Sequence, residues 1–311
     1  MVSIVKKPVL FYPAAIMAGI LLLPTMLFAQ TAQRVENLLG ETAISWSTAA
    51  AFALEAADVQ VFPNPDDAFR YAVERKWLPK KAVAGSQAKL NGVSLLLMRA
   101  FKLKGGWFYS MAKNPHYAYR ELVYRDIITG RADPEMAVSG DDFLYMVNRI
   151  LSIKENEKLS QVRKEEERLA REINAQLAAH KVTDTIATVT SEGVTISLSN
   201  IQFMPNSTEL MEPERVKIRE IAQILENIPE RNLLVAGHTA MAGTRDEQLR
   251  TSRDRAQSVA NYLISLGVRT AAEITVQGYG ADRPIAPNST EEGMAQNRRV
   301  EITILSGERR G

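Results

Sequence analysis

The sequence predicts a multidomain chain of mixed α and α+β class. An N-terminal helical repeat domain leads through a charged connecting helix to a C-terminal domain of order β-β-α-β-α-β-β, a sheet covered by two helices. Three observations predict this. Sliding the chain by fifty residues aligns "AFRYAVERKWL" at Ala68 with "AYRELVYRDII" at Ala118, and a fixed period signals stacked units. A stretch dense in Lys, Glu and Arg follows from about Ser152 to His180. Beyond it, apolar alternation of period two takes turns with helical periodicity. The expected segments are 1-29 (signal peptide or N-terminal anchor), 35-151 (helical repeats), 152-181 (connecting helix), 182-306 (α+β domain) and 307-311 (tail).

The chain starts with Lys6 and Lys7 before the apolar run "PVLFYPAAIMAGILLLPTMLFAQ". A basic head and an apolar body form an export signal. The run is also near the ~20 residues that span a bilayer, and Leu27 fits poorly three residues before a cut at Ala29. A cleaved signal and an uncleaved anchor both stay open. Either places the rest of the chain outside the cytoplasm.

In the repeat, Arg70 meets Arg120, Val73 meets Val123, Arg75 meets Arg125, and Leu97 meets Val147. Each unit reads helix, loop, helix. Phe143, Met146, Val147 and Ile150 recur at helical spacing. Ser139 with Asp142 fits a capping pattern, and Gly130 and Pro134 shape the turn before it. The helix "TAISWSTAAAFALEAA" from Thr42 reads as the remains of a third unit. The unit "YRELVYRDIITGRADPEMAVSGDDFLYMVNRIL" resembles the S-layer homology motif. That resemblance implies a cell-wall glycan as partner; a helical domain with no glycan site is the alternative. On the latter reading Arg70, Arg75, Arg120 and Arg125 are solvated helix faces.

In the charged stretch, Leu159, Val162, Leu169, Ile173 and Leu177 form a heptad-like seam. A helical linker packing its stripe on a neighbouring domain is favoured over a coiled coil. The next segment, "TIATVTSEGVTISLSNIQFMPNS", reads as a hairpin turning at Glu192-Gly193, with Val194, Ile196 and Leu198 on one face. A helix begins near Pro213, with Val216, Ile221, Leu225 and Ile228 as its apolar stripe. A strand from Leu233 to Ala236 leads to a polar loop and a second helix from about Asp246 to Leu266. Leu249, Ala256, Val259, Ala260 and Leu263 form its inner face, and Gly267 stops it. The strand "EITVQGYG", a loop rich in Pro and Asn, and the strand "RVEITIL" close the domain.

Composition narrows the function. The 311 residues carry a formal charge of +2, no cysteine and three scattered histidines. Bulk electrostatic binding of nucleic acid is disfavoured. Disulfides, thiolate chemistry and a cysteine lipid anchor are impossible. A histidine metal cluster and a serine-histidine triad are disfavoured. Neither a cofactor nor a metal is expected, nor an enzyme, since no nucleophile, metal set or paired carboxylates stand out.

Three segments together, "GHTAMAGTRDEQLRTSRDRAQSVANYL", "GYGADRPIAPNST" and "GMAQNRRVEITIL", resemble the OmpA-like (OmpA/MotB) peptidoglycan-binding domain over about residues 182 to 306. The resemblance implies a noncatalytic domain that grips a stem peptide through its diaminopimelate. An aspartate in the family's GHTD meets the ammonium, and an arginine fifteen residues later meets a carboxylate. Here the arginine is Arg255 and the aspartate's place is Ala240. Gln248 stands where the family often has asparagine, and Asn297 and Arg298 match the closing motif. The candidate ligand set is a degenerate peptidoglycan pocket of Thr239, Ala240, Gly243, Gln248, Arg255, Asn297 and Arg298. Asp246 or Glu247 is a possible source of the missing carboxylate. His238 and one of Arg298 and Arg299 are expected to be structural. The glycines of "GYGADRP" form a turn rather than a phosphate loop.

The expected function is a structural or tethering role in the periplasm or cell envelope, membrane-associated if the N-terminal segment is uncleaved. The partner is peptidoglycan or a wall-associated protein, with stem-peptide binding weak, absent or altered. Two alternatives are an ordinary peptidoglycan anchor, and a murein-processing or motor-accessory protein that uses the domain for targeting.

Overall fold

The computed structural model describes residues 33–129, 132–204, 207–228 and 231–307. The signal or anchor segment and Gly130 lie outside the described residues. Two compact units divide between Asn156 and Glu157.

The first unit is helical. Its elements are α1 (Trp46–Ala56), α2 (Pro65–Glu74), α3 (Leu90–Ala100), the single turn α4 (Trp107–Met111), α5 (Pro115–Tyr124) and the start of α6 (Gly140–Ala179). Residues fifty apart take matching places. α2 and α5 each start with a capping asparagine, Asn64 or Asn114, followed by proline. That pairing satisfies an orphan N–H and presets the first helical φ. Lys76 and Asp126 both leave their helices with φ between 50° and 60°. Ala68 and Ala118, Ala72 and Leu122, Val93 and Phe143 are all buried.

The segment before α1 enters the same frame. Ile44 N donates to Val138 O at 2.8 Å, Ala88 N to Ile44 O at 2.8 Å, and Val138 N to Ala88 O at 3.0 Å. These three buried residues close a ring of backbone hydrogen bonds, one from each helix approach. Ser139 Oγ then accepts from Asp142 N at 3.1 Å, which caps α6 as expected. Phe143, Met146, Val147 and Ile150 are in the core. Among the arginines of the repeat, Arg70 pairs with Asp67, Arg75 lies over the Tyr71 ring and Arg125 pairs with Glu121.

The connecting segment is not a separate element, because α6 runs unbroken from Gly140 to Ala179. Its expected seam divides. Leu159 and Val162 are 59% and 41% exposed, whereas Leu169, Ile173 and Leu177 are buried in the core of the second unit. Asn174 explains how this end is held. Its Nδ2 donates to Ala187 O and its Oδ1 accepts from Ala187 N, both at 2.8 Å. The helix thereby occupies hydrogen-bonding groups of an edge strand that would otherwise be open.

The second unit holds β1 (Thr185–Val189), β2 (Gly193–Ser199), α7 (Glu212–Glu226), β3 (Leu233–Gly237), α8 (Arg245–Ser265), β4 (Ile274–Gly278), α9 (Glu291–Asn297) and β5 (Arg299–Leu305). The sheet order is β1-β2-β5-β3-β4. Only β3 and β4 are parallel, joined through α8 in the manner of a βαβ crossover. Val194, Ile196 and Leu198 lie opposite Ile304, Ile302 and Val300, and Leu233 and Val235 continue the same face. All are buried with residues of α7, α8 and the end of α6.

Two sequence expectations change here. The last loop contains the short helix α9, whose first turn is capped by Thr290 accepting from Gly293 N at 3.0 Å. On α7 the inner stripe is Ile218, Ile221, Ala222, Ile224 and Leu225, the buried Ile228 lies just past its end, and Val216 is 44% exposed. Five residues separate 216 from 221, about 140° around a helix, whereas 218, 221 and 225 follow the three-four rhythm.

Candidate functional site

The loop after β3 is positioned by a close approach. A Cβ on Gly237 would lie 1.9 Å from Ser252 O, so only glycine lets the strand end touch α8 here. Thr239 N donates to Gly280 O at 2.8 Å, and Ala242 N to Ala240 O at 3.0 Å. Gly243 has φ +74°, a conformation in which glycine is unstrained, and Thr244 then opens α8. A capping box closes that start: Glu247 accepts from Thr244 N and Oγ1 at 2.9 Å each. These bonds hold the Glu247 carboxyl below its usual range and commit it to the cap. Asp282 is likewise taken, by Arg245 at 2.9 Å. Asp246 is exposed on the first turn of α8.

Gln248 is buried, with Nε2 donating to Ala242 O at 3.1 Å and Gly243 O at 3.3 Å. Asn297 is completely buried. Its Oδ1 accepts from Ile285 N (2.8 Å) and Ala286 N (3.1 Å), and its Nδ2 donates to Ala286 O (2.8 Å) and Asn288 Oδ1 (3.0 Å). With both acceptor sites and both donors used, Asn297 holds the closing loop and keeps no group for a ligand. Asn288 Oδ1 also accepts from Met241 N at 3.1 Å, which ties the two loops together. Gln248 and Asn297 thus hold the two loops in place.

Two cations remain uncommitted. Among the described residues, neither Arg255 nor Arg298 makes an ion pair. Arg255 sits 5.1 Å from the Phe203 ring centroid. Burial and then the nearby positive charge of Arg298 lower its pKa. Arg255 and Arg298 are both partly exposed, and neither is neutralised by a carboxylate among the described residues. Ala240 is buried with no charge of its own, and Thr239 Oγ1 is buried without a hydrogen-bond partner.

His238, beside the loop, belongs to a structural cluster. Arg299 Nε donates to Glu301 Oε1 at 2.7 Å, and His238 Nε2 lies 3.3 Å from Glu301 Oε2. His238 stacks on Tyr279 at 5.4 Å, with Arg283 over the other partner of that stack. The β3/β5 register, Gly237 opposite Val300, brings these distant residues together. Of the adjacent arginines, Arg299 is the buried one and Arg298 is half-exposed.

Burial pushes the His238 pKa down. Burial would raise Glu301, but the imidazole and guanidinium beside it outweigh this and bring it from 4.5 to about 2. Both folded-state values lie below the unfolded ones, so the unfolded chain binds more protons in acid. The stabilisation is complete above the unfolded histidine value of 6.5. It is lost as pH falls through that value and on toward 2. Thermal melts of the full chain should show Tm falling from pH 6.5 downward. His238→Gln should flatten the part between 6.5 and 4.5. A Tm in the variant that falls as steeply there as in the wild type would remove His238 from this account.

The fold and loops define an α+β domain in which the β3–α8 loop and the β5 entry are tied together. The C-terminal unit carries an OmpA family domain, and the family's profile matches residues 202–298. Among similar proteins is the probable lipoprotein YiaD of Escherichia coli (strain K12), 41% identical over 127 residues, covering 40% of this chain and 58% of that protein. Motility protein B of Bacillus subtilis (strain 168) is 32% identical over 38% of this chain and 47% of that protein. The peptidoglycan-binding protein ArfA of Mycobacterium bovis is 34% identical over 33% of this chain and 32% of that protein. The chain therefore spans between about a third and three fifths of these relatives. Among solved structures, the periplasmic domain of Helicobacter pylori MotB is 27% identical, with a TM-score of 0.38 over 42% of this chain and 85% of that one.

Proposed function

We propose that this is a noncatalytic, peptidoglycan-associated protein of the cell envelope whose OmpA family domain keeps the anion half of a wall-peptide pocket and lacks the cation half. The uncommitted pair Arg255 and Arg298 is the observation that carries this reading. Those two groups suit a carboxylate of a diaminopimelate stem peptide. The ammonium of that residue finds Ala240 where the family resemblance implies an aspartate, and Glu247 is committed to its capping box. Binding to such a peptide is weak, and it rests on the carboxylate contact. The relative named as peptidoglycan-binding supports the wall as partner, and the relatives named as a lipoprotein and a motility protein support an envelope location.

The helical unit is read as S-layer-homology-like repeats. The matched capping asparagines and the ring through Ile44, Ala88 and Val138 support a repeat origin. Co-sedimentation of the full chain with isolated sacculi tests the main reading. The wild type should be retained weakly in low salt, and Arg255→Ala should be lost from the pellet. Retention of Arg255→Ala equal to the wild type would rule out the pocket as the point of attachment.

A further inference from the structure

From Arg75 to Arg120 the chain holds ten lysines and arginines and neither aspartate nor glutamate. In a protein of net charge +2 this is a strong local asymmetry, and it lies wholly in the helical unit. Four of these cations, Arg99, Lys102, Lys104 and Lys113, line a cavity of about 570 Å³ together with Trp77 and Tyr109. None of the four forms an ion pair among the described residues.

Two donors at this cavity are unsatisfied. Tyr109 is 5% exposed, and its buried hydroxyl has no hydrogen-bond partner. The buried Nε of Arg99 has none either. Leaving a buried donor unpaired is costly, and proteins that keep such groups usually present them to something. Burial raises the Tyr109 pKa, more than the opposing charge of Arg99 lowers it, so the phenol stays a proton donor. A phenol, a guanidinium N–H and three ammonium groups converge on an oxygen-rich anion of more than one negative charge or of high density, which is the chemistry of a phosphate.

The source of that phosphate is indicated by what adjoins the cavity. The loop between α1 and α2 runs over 57–64, but the corresponding loop between α3 and α5 runs over 101–114 and contains the extra turn α4. That turn presents Trp107, Phe108 and Met111 to solvent at 69%, 59% and 69% exposure. Tyr109, on the same turn, lines both the cationic cavity and a second hollow of about 350 Å³ shared with Trp107, Phe108, Tyr117 and Tyr124. Exposed aromatics next to lysines suit the headgroup layer of a bilayer, where the rings enter the interface and the cations meet anionic lipid. A soluble phosphate would have no use for the apolar turn.

We propose that the helical unit docks on an anionic phospholipid surface. The headgroup phosphate enters the cavity of Arg99, Lys102, Lys104, Lys113 and Tyr109, while Trp107, Phe108 and Met111 enter the interfacial layer. This site is independent of the wall-peptide pocket, and either can fail without the other.

The test uses the full chain with phosphatidylcholine vesicles, with and without phosphatidylglycerol, read by tryptophan emission. Because the apolar N-terminal run could itself enter either vesicle, the decisive signal is local to Trp107. The expected result is a blue shift with phosphatidylglycerol vesicles that is absent with phosphatidylcholine alone and absent in Trp107→Phe. Lys102→Glu/Lys104→Glu/Lys113→Glu should weaken the apparent affinity at least about tenfold. Tyr109→Phe, which keeps the ring and removes only the hydroxyl, should weaken it measurably with the helical circular dichroism unchanged. No phosphatidylglycerol-dependent shift, or a shift that survives charge reversal, overturns the proposal. So does a Trp107 response to a soluble acidic polysaccharide or to glycerol phosphate alone that equals the vesicle response.

Discussion

Ala240→Asp should strengthen binding of a diaminopimelate stem peptide by roughly ten- to a hundredfold in a calorimetric titration. The estimate follows from a charge-assisted hydrogen bond to an ammonium, about 1.5–3 kcal/mol, at ~1.4 kcal/mol per decade. The loop is suited to accept the change. Its path is set by backbone bonds, Thr239 N to Gly280 O and Ala242 N to Ala240 O, and by Gln248 beneath it, none of which uses the side chain at 240. The buried hydroxyl of Thr239, which has no partner, is an adjacent donor for a new carboxylate. Folding stability should drop at the same time, because a partly buried carboxylate without its ligand is costly. A gain in affinity that disappears when Arg255→Ala is added would place both halves in one pocket. Unchanged affinity in Ala240→Asp would mean that the geometry around Ala240 has drifted as well as its charge.

Asn297→Ala should destabilise the full chain by about 2–4 kcal/mol in denaturant unfolding followed through the C-terminal unit. The substitution strands the Ile285 and Ala286 amides and the Ala286 carbonyl, and each buried unsatisfied group costs about 1–3 kcal/mol. Ile285 is partly exposed at its side chain, so water can recover some of this. The damage extends further, since Asn288 loses one partner and Asn288 holds Met241 N. Asn297→Asp keeps the acceptor but sets a buried carboxylate oxygen against the Ala286 and Asn288 acceptors, so it should destabilise at least as much as Asn297→Ala. A change below about 0.5 kcal/mol for Asn297→Ala would show that the closing loop is held by other contacts.

Much of the second unit was legible in the sequence. Val194, Ile196 and Leu198 alternate cleanly, as do Val300, Ile302 and Ile304, and all six are buried. Strand periodicity survives reading because one face is wholly apolar. α9 was hidden by its neighbours. Pro284, Pro287 and Asn288 read as loop, yet Thr290 followed by Glu291 and Glu292 is a helix start with acids on the first turn, a signal that was present. Val216 was misassigned because β-branched residues look internal wherever they stand; only the angle from Ile221 separates them. The exposed first half and buried second half of the α6 seam depend on where the second unit's core ends, which periodicity alone does not encode.

The site divides in the same way. Arg255 is marked as a candidate only by the resemblance to the OmpA-like motif, whereas the contrast between Arg298 and Arg299 follows from strand alternation. The role of Asn297 was not readable, because hydrogen-bond saturation is a property of the folded loops. The Arg299–Glu301–His238 cluster was likewise hidden, since it joins β3 to β5 across the register. The cationic cavity was missed for another reason. A net charge of +2 averages over the whole chain and conceals a long segment without a single acid.

The central claim is that the pocket has an anion half and no cation half. It is tested most directly by titrating the wild type with two stem peptides, one carrying 2,6-diaminopimelate and the other 2-aminopimelate. The second keeps both carboxylates and lacks only the ammonium. Equal affinities, within about threefold, are the expected result, since ~1.4 kcal/mol separates a decade and no carboxylate at 240 rewards the ammonium. A loss of tenfold or more with 2-aminopimelate would contradict the claim and show that another acid has replaced the one absent at Ala240.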